Sequence, residues 1–323
     1  MNSKQKKTNM NKNSSIFLAG HKGLVGSEVL KILKENKYKN VIVASREELD
    51  LTNYSKVKKF FNKKKIDYMI MAAAKAGGIL ANSTYQKDFF FTNIEIQNNL
   101  LKIALKKKIK RTIFLGTSCI YPKFAKNPIK EEYLLTGKLE KTNQAYAIAK
   151  IAGIKLCEAL YENHNLDIVC LMPTNIYGIN DNFDKFSGHV IPALIAKFLE
   201  AKKKNSRQIK LLGTGKPIRE FLFSPDLARA IYITLNVSKK KLINICGNKL
   251  PIINVGSGES VSISNLSKII ANITKYKGKI YFDRNFPDGT PKKNLNSSKI
   301  KKLGWTPFTK LKEGISIVVN KKK

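Results

Sequence analysis

The chain has 323 residues, 43% of them hydrophobic, and 60 Lys+Arg against 23 Asp+Glu give it a formal net charge of +37. That is enough apolar material for one large domain or two, and it excludes global disorder. The charge alone would point to a nucleic acid or an anionic membrane. Only six basic residues are arginine, however, the side chain suited to bidentate phosphate recognition, and the lysines are scattered among Asn and Ile along the whole chain. No nucleic-acid and no membrane partner is therefore expected, and the positive surface should attract anionic small molecules instead. Cys119, Cys157, Cys170 and Cys246 have no Cys-x-x-Cys spacing and no histidine at metal-ligand intervals, so no metal site is expected. With neither a secretory h-region nor a membrane-length apolar run, the expected location is cytoplasmic.

Residues 1–14 are polar and rich in Lys and Asn and read as a disordered leader, as do the three terminal lysines. Strands are then predicted near 16–19, 41–44, 68–73, 112–115 and 168–172, alternating with amphipathic helices such as 25–34 and 93–106. This alternation predicts an α/β fold, a Rossmann-type doubly wound parallel sheet occupying 15–173. After Pro173 come loops and a helix from about His189 to Ala201. Ser224-Pro225-Asp226 then reads as serine N-cap and first turn of a helix through Leu235, followed by a strand at 252–255 and a helix at 264–274. A smaller C-terminal α/β substrate domain is expected mainly over 174–319, with a return to the first domain near 221–256.

Three motifs carry chemistry. Gly20-His21-Lys22-Gly23-Leu24-Val25-Gly26 follows the first strand and opens the first helix, where glycines let the backbone approach a pyrophosphate and the helix N-terminus supplies donors. The second strand ends in Arg46, which suits the 2′-phosphate of NADP, with Lys22 as a second partner; Glu47 and Glu48 follow and keep NAD open. Leu115-Gly116-Thr117-Ser118-Cys119 closes the fourth strand, at the edge where open α/β sheets bind ligands. Thr117 and Ser118 offer hydroxyls, while Cys119 is either a buried filler or a base. Tyr146 and Lys150 lie four apart on one helix face, a spacing that arises by chance in lysine-rich chains and by itself usually marks a solvated helix face. As a functional pair, the cation is expected to lower the phenol pKa and let it exchange a proton with a carbonyl oxygen.

Beyond these, Ala-Ala-Ala-Lys-Ala-Gly-Gly-Ile-Leu-Ala-Asn at 72–82, Ser-Cys-Ile-Tyr-Pro-Lys at 118–123, Tyr-Ala-Ile-Ala-Lys at 146–150, Met-Pro-Thr-Asn-Ile-Tyr-Gly at 172–178, His-Val-Ile-Pro-Ala-Leu at 189–194, Arg-Glu-Phe-Leu at 219–222 and Pro-Asp-Gly-Thr-Pro-Lys-Lys at 287–293 stand in order. Together with the glycine loop, they make residues 15–319 resemble the GDP-L-fucose synthases, a family of extended short-chain dehydrogenase/reductases. The resemblance implies an NADPH-dependent enzyme that epimerises GDP-4-keto-6-deoxy-D-mannose at C3 and C5 and reduces C4, working as a homodimer. It implies Tyr146 and Thr117 at the substrate oxygen, Cys119 as base, His189 as acid and Lys150 as the group tuning Tyr146 and holding the nicotinamide ribose. It places Leu115, Gly116, Ser118, Pro173, Thr174, Asn175, Ile176 and His189 along the cofactor, and Lys197, Leu212, Arg219 and Asp288 along the GDP-sugar. Where this chain has Thr117, Lys197 and Leu212, the family usually has serine, arginine and tryptophan. These departures bear on the exact sugar, and a related GDP-keto-deoxy-heptose reductase is the nearest alternative. A basic RNA- or membrane-surface protein on a Rossmann scaffold would need clustered arginines or exposed aromatics beside lysine runs, and neither appears in the sequence.

Overall fold

The computed structural model describes residues 10–286 and 288–322. In its first half, strands β1 (Ser15–Ala19), β2 (Asn40–Ile42), β3 (Tyr68–Met71), β4 (Arg111–Leu115) and β5 (Ile168–Pro173) alternate with helices α1 (Leu24–Glu35), α2 (Tyr54–Asn62), α3 (Ile79–Thr84), α4 (Gln86–Lys107) and α5 (Gln144–His164). The second half contains β6 (Asn175–Tyr177), α6 (Val190–Lys203), β7 (Gln208–Leu212), β8 (Ile218–Phe223), α7 (Ser224–Asn236), α8 (Lys239–Cys246) and β9 (Ile252–Val255). It ends with β10 (Ser260–Ser262), α9 (Ile263–Thr274), β11 (Lys279–Asp283), β12 (Lys292–Lys293), α10 (Ser298–Lys302) and α11 (Leu311–Lys322).

Six strands form one parallel sheet in the order β2-β1-β3-β4-β5-β9. Every residue of β3, β4 and β5 is buried, as strands covered by helices on both faces must be. Alternate side chains of β1 feed two cores. Phe17 and Ala19 join α2, α4 and α5 on one face, while Ile16 and Leu18 join α1, α7 and α10 on the other. This is the doubly wound Rossmann-like architecture. A third core gathers α6, α9 and α11 around β7 and β8. There β8 is flanked by β10, β6 and β12, and β7 pairs in parallel with β11.

Several local expectations are corrected. Met10 is buried in the second core, Lys12 lies over the Tyr38 ring, and Asn13 O accepts from Asn40 Nδ2, so residues 10–14 are packed rather than leader; residues 1–9 lie outside the described residues. Lys321 and Lys322 complete α11, and Lys323 lies outside the description. Ser224 is not an N-cap: α7 starts at Ser224 after Phe223, and the Ser224 hydroxyl is buried without a partner. The Asp226 carboxylate turns to Phe308 N and Thr309 N, at 2.9 and 3.1 Å, tying the C-terminal segment to this helix. Trp305 is fully buried in the same place and donates its indole N–H to Asp226 O at 2.9 Å.

Candidate active site

The glycine loop is a cradle that side chains would fill. Gly20 has φ +83°, and a Cβ on Gly26 would stand 2.1 Å from Gly20 O. Gly23 is the N-cap of α1 and no side chain caps that end, which leaves first-turn N–H donors for a ligand's oxygens. Leu24 and Val25 form that first turn, His21 is partly exposed, and Lys22 is exposed. These features fit a dinucleotide pyrophosphate. Beside the loop, Glu47 and Glu48 fold back onto Ser45, whose backbone N–H donates to Glu48 Oε2 at 2.7 Å. Those hydrogen bonds, with Lys22 nearby, hold both carboxyls below their usual range. Arg46 remains exposed next to them.

At the end of β4 the chain tightens into a short 3-10 turn, Ser118–Ile120, capped by Thr117, whose Oγ1 accepts from Cys119 N at 3.2 Å. That bond uses an acceptor lone pair and leaves the threonine O–H free to donate. Leu115, Gly116 and Ser118 are buried beneath the turn. Cys119 is partly exposed, and the buried Lys293 ammonium reaches its Sγ at 3.5 Å. Lys293 stands in register with Arg219 across β12 and β8. The Arg219 guanidinium, its pKa lowered by burial, lies in the fields of Cys119, Asp288 and Glu140. Two basic side chains thus stand near one thiol.

Tyr146 and Lys150 both lie on α5 beside this turn, but not as the expected coupled pair. Burial, reinforced by Cys119, pushes the phenol pKa up. Burial also pushes the Lys150 ammonium down to about 8. Lys150 Nζ donates to Leu115 O at 2.9 Å and sits 5.1 Å from the Phe114 ring centroid. The predicted lowering of the phenol is therefore corrected, because burial and the neighbouring Cys119 both act to raise it. Tyr146 is held edge-on against Phe89, with ring centroids 6.2 Å apart.

His189 is the N-cap of α6, and its Nδ1 lies 3.0 Å from Asp181 Oδ1. The preceding residues lean on the 72–82 loop through Gly78 N to Ser187 O at 2.9 Å. Pro173 ends β5, and Thr174 Oγ1 and Asn175 Nδ2 donate to Glu220 O at 3.1 and 2.8 Å, next to Arg219. Ile176 follows in β6, paired with Leu222. At the end of β7, Leu212 is 45% exposed. Asp288 accepts from Thr214 N and Oγ1 at 3.0 and 2.6 Å, so it also clasps two loops together. Lys197 turns its ammonium to Lys210 O. Pro287, the first residue of the 287–293 motif, lies outside the described residues.

Lys293 and Asp181 carry no role on sequence grounds. The signal for Lys293 was its place closing the 287–293 motif; Asp181 had none beyond standing eight residues before His189. Among the described residues no group of three or more His, Cys, Asp or Glu could hold a metal ion, and no helix is long and apolar enough to cross a membrane.

Residues 16–246 match the NAD dependent epimerase/dehydratase family. GDP-L-fucose synthase 1 of Arabidopsis thaliana is 46% identical over 305 residues, covering 94% of this chain and 92% of that protein. GDP-L-fucose synthase of Escherichia coli is 42% identical over 301 residues, covering 93% and 94%. Among solved structures, a GDP-mannoheptose C4 reductase from Campylobacter jejuni with NADP bound superposes with a TM-score of 0.86 at 35% identity, over 97% of this chain and 99% of that one. The chain belongs to the NAD dependent epimerase/dehydratase family, in its GDP-L-fucose synthase branch.

Proposed function

We propose that this chain is an NADP(H)-dependent enzyme that epimerises GDP-4-keto-6-deoxy-D-mannose at C3 and C5 and reduces it at C4 to GDP-L-fucose. The observation that carries the reading is the meeting of Cys119, Lys293, Arg219, Thr117 and Tyr146 at the β4 edge. The cofactor would rest on the Gly20–Gly26 cradle, with Arg46 and Lys22 at its 2′-phosphate. Leu115, Gly116, Ser118, Lys150, the 173–176 segment and His189 would line the rest. When bound, NADPH supplies the hydride for the C4 ketone.

Both C3 and C5 are α to that ketone, so each loses a proton only where the developing enolate oxygen finds donors. Tyr146 supplies a neutral O–H, kept protonated by its burial, and Thr117 supplies a second. Cys119, between Lys293 and Arg219, removes the proton, and His189 returns one on the opposite face. Tyr146 finally gives its proton to the C4 oxygen. Arg219 offers a planar fork to the diphosphate.

The cofactor domain would be residues 15–173, rejoined near 221–256, with the substrate domain mainly 174–319; the pairing of β9 with β5 and the separate third core support that division. The exposed apolar side chains Phe91 and Ile148 on the packed helices α4 and α5 support a homodimer through this domain. Four unpaired cysteines suit a cytoplasmic location.

Incubating the enzyme with the keto sugar in heavy water without NADPH should place deuterium at C3 and C5. No exchange at either carbon sinks the epimerase half, and exchange at one alone, with the matching product by NMR, moves the assignment to a GDP-heptose-type reductase. Cys119→Ser should slow exchange by about 10²- to 10⁴-fold, the usual weight of a positioned proton-transfer group, while NADPH affinity stays near parental. Equal loss of both would make Cys119 structural.

A further inference from the structure

The Asp181 side chain is 3% exposed, in the segment between β6 and α6. Its Oδ1 accepts from Asn182 N at 2.8 Å and faces His189 Nδ1 at 3.0 Å, while its Oδ2 is buried with no hydrogen-bond partner. A carboxylate so enclosed is costly unless a cation stands beside it. Among the described residues, His189 is the only side chain able to carry positive charge within salt-bridge distance of it. The surrounding segment is pinned at both ends. Asn180 Nδ2 donates to Ser27 Oγ on α1 at 3.0 Å, and Asn182 Nδ2 to Ser187 Oγ at 2.8 Å, beside the contact between Ser187 O and Gly78 N. The His189 ring, 36% exposed, has no other hydrogen-bond partner among the described residues and caps no N–H of α6. A positive ring at a helix N-terminus opposes the helix dipole. The adjacent carboxylate offsets that opposition.

We propose that Asp181 is the positioning residue for His189: it accepts the Nδ1–H hydrogen bond, so that the ring turns Nε2 to the sugar and exchanges its proton there. This rests on the epimerisation proposed above. In each return step the imidazolium gives its Nε2 proton to the enolate carbon, a C–H bond forms, and the C4–O double bond is restored. The ring is left neutral with its Nδ1–H still hydrogen-bonded to Asp181; Nε2 then regains a proton from solvent as the Cys119 thiol releases the one it took, so the cycle closes with no net proton change.

The chain has only three histidines, His21, His164 and His189, so nitrogen NMR of the labelled protein resolves each ring, with His189→Gln giving the assignment. The parent should show protonated Nδ1 at His189. Asp181→Asn keeps an acceptor for Asn182 N–H but removes the charge, and should move the His189 nitrogens toward the Nε2–H tautomer without moving His21 or His164. In the heavy-water assay this variant should take up deuterium about 10- to 100-fold more slowly, part of the usual contribution of a proton-transfer group, with NADPH affinity within about twofold of the parent, below the tenfold that 1.4 kcal/mol represents. On a His189→Gln background, Asp181→Asn should change nothing further. Unchanged nitrogen signals, unchanged uptake, or an equal slowing on the His189→Gln background each overturn the proposal, as does a parallel loss of NADPH binding. If the parent takes up no deuterium, the epimerisation reading fails by itself, and the nitrogen signals alone decide whether Asp181 holds the ring.

Discussion

Replacing Lys150 with methionine should flatten the pH dependence of stability, so that the cofactor-free parent gains on the variant as the pH rises from neutral into alkali. The Lys150 side chain lies on α5, 5% exposed, and burial pushes its pKa from 10.5 down to about 8. That difference, at about 1.4 kcal/mol per pH unit, is about 3 kcal/mol spent on keeping a buried ammonium. The folded value lies below the unfolded one, so between about 8 and 10.5 the unfolded chain binds more protons and stability rises with pH. Below that window the cost is fully present; above it the cost is gone. Methionine keeps the length of the stem without the charge. Loss of the bond to Leu115 O subtracts about 1.5–3 kcal/mol from the gain, as for hydrogen bonds to charged groups, and makes the absolute difference at pH 7 small. The pH dependence of the difference is the sharper quantity, because every other titration is common to both proteins. Urea unfolding followed through the single, fully buried Trp305 at pH 7 and 10.5 measures it. Parent stability relative to the variant should rise by about 3 kcal/mol across that range. Profiles parallel to within about 1 kcal/mol would refute the account of Lys150 as a charge held in the interior.

Two further outcomes follow from the cofactor cradle. In Gly26→Ala the Gly20 carbonyl must retreat by about 1 Å from the new methyl group, so NADPH affinity should fall at least about tenfold and the melting temperature should drop by the equivalent of about 1–3 kcal/mol; parental affinity in a fluorescence titration would contradict the close packing of loop and helix. Arg46→Asp should cost NADPH about 1.5–3 kcal/mol of binding, the worth of a hydrogen bond to a charged group, while NADH binding holds or improves. An equal change for both cofactors would place Arg46 away from the 2′-phosphate.

The parallel sheet was legible because β3, β5 and the Ile113–Leu115 end of β4 are apolar runs between amphipathic helices, a local pattern with one stable burial. Element ends were less so. Ser-Pro-Asp has the form of a capped helix start, but Asp226 is drawn to backbone N–H groups 82 and 83 residues away, and no local rule sees that distance. The same holds in the site. Cys119 was visible as a candidate, whereas Lys293 meets it across 174 residues and is camouflaged in a chain so rich in lysine. The sign of the Tyr146 shift failed for a related reason, since spacing along a helix suggests a neighbouring charge but does not reveal how deeply the phenol is desolvated.

Glu220 gives β8 a further significance. Its carbonyl holds Thr174 and Asn175, its carboxylate accepts from Gly258 N and Leu295 N, and its neighbour Arg219 faces Cys119 and stands in register with Lys293. One strand therefore serves as common chassis for the segment proposed to meet the nicotinamide and the residues proposed to meet the sugar. A substitution that retunes sugar choice at Arg219 or Lys293 pulls on the same backbone that seats Thr174 and Asn175. With the roles proposed above, sugar preference and cofactor preference would share one backbone, and a change made for a new sugar would reach the cofactor side through Glu220.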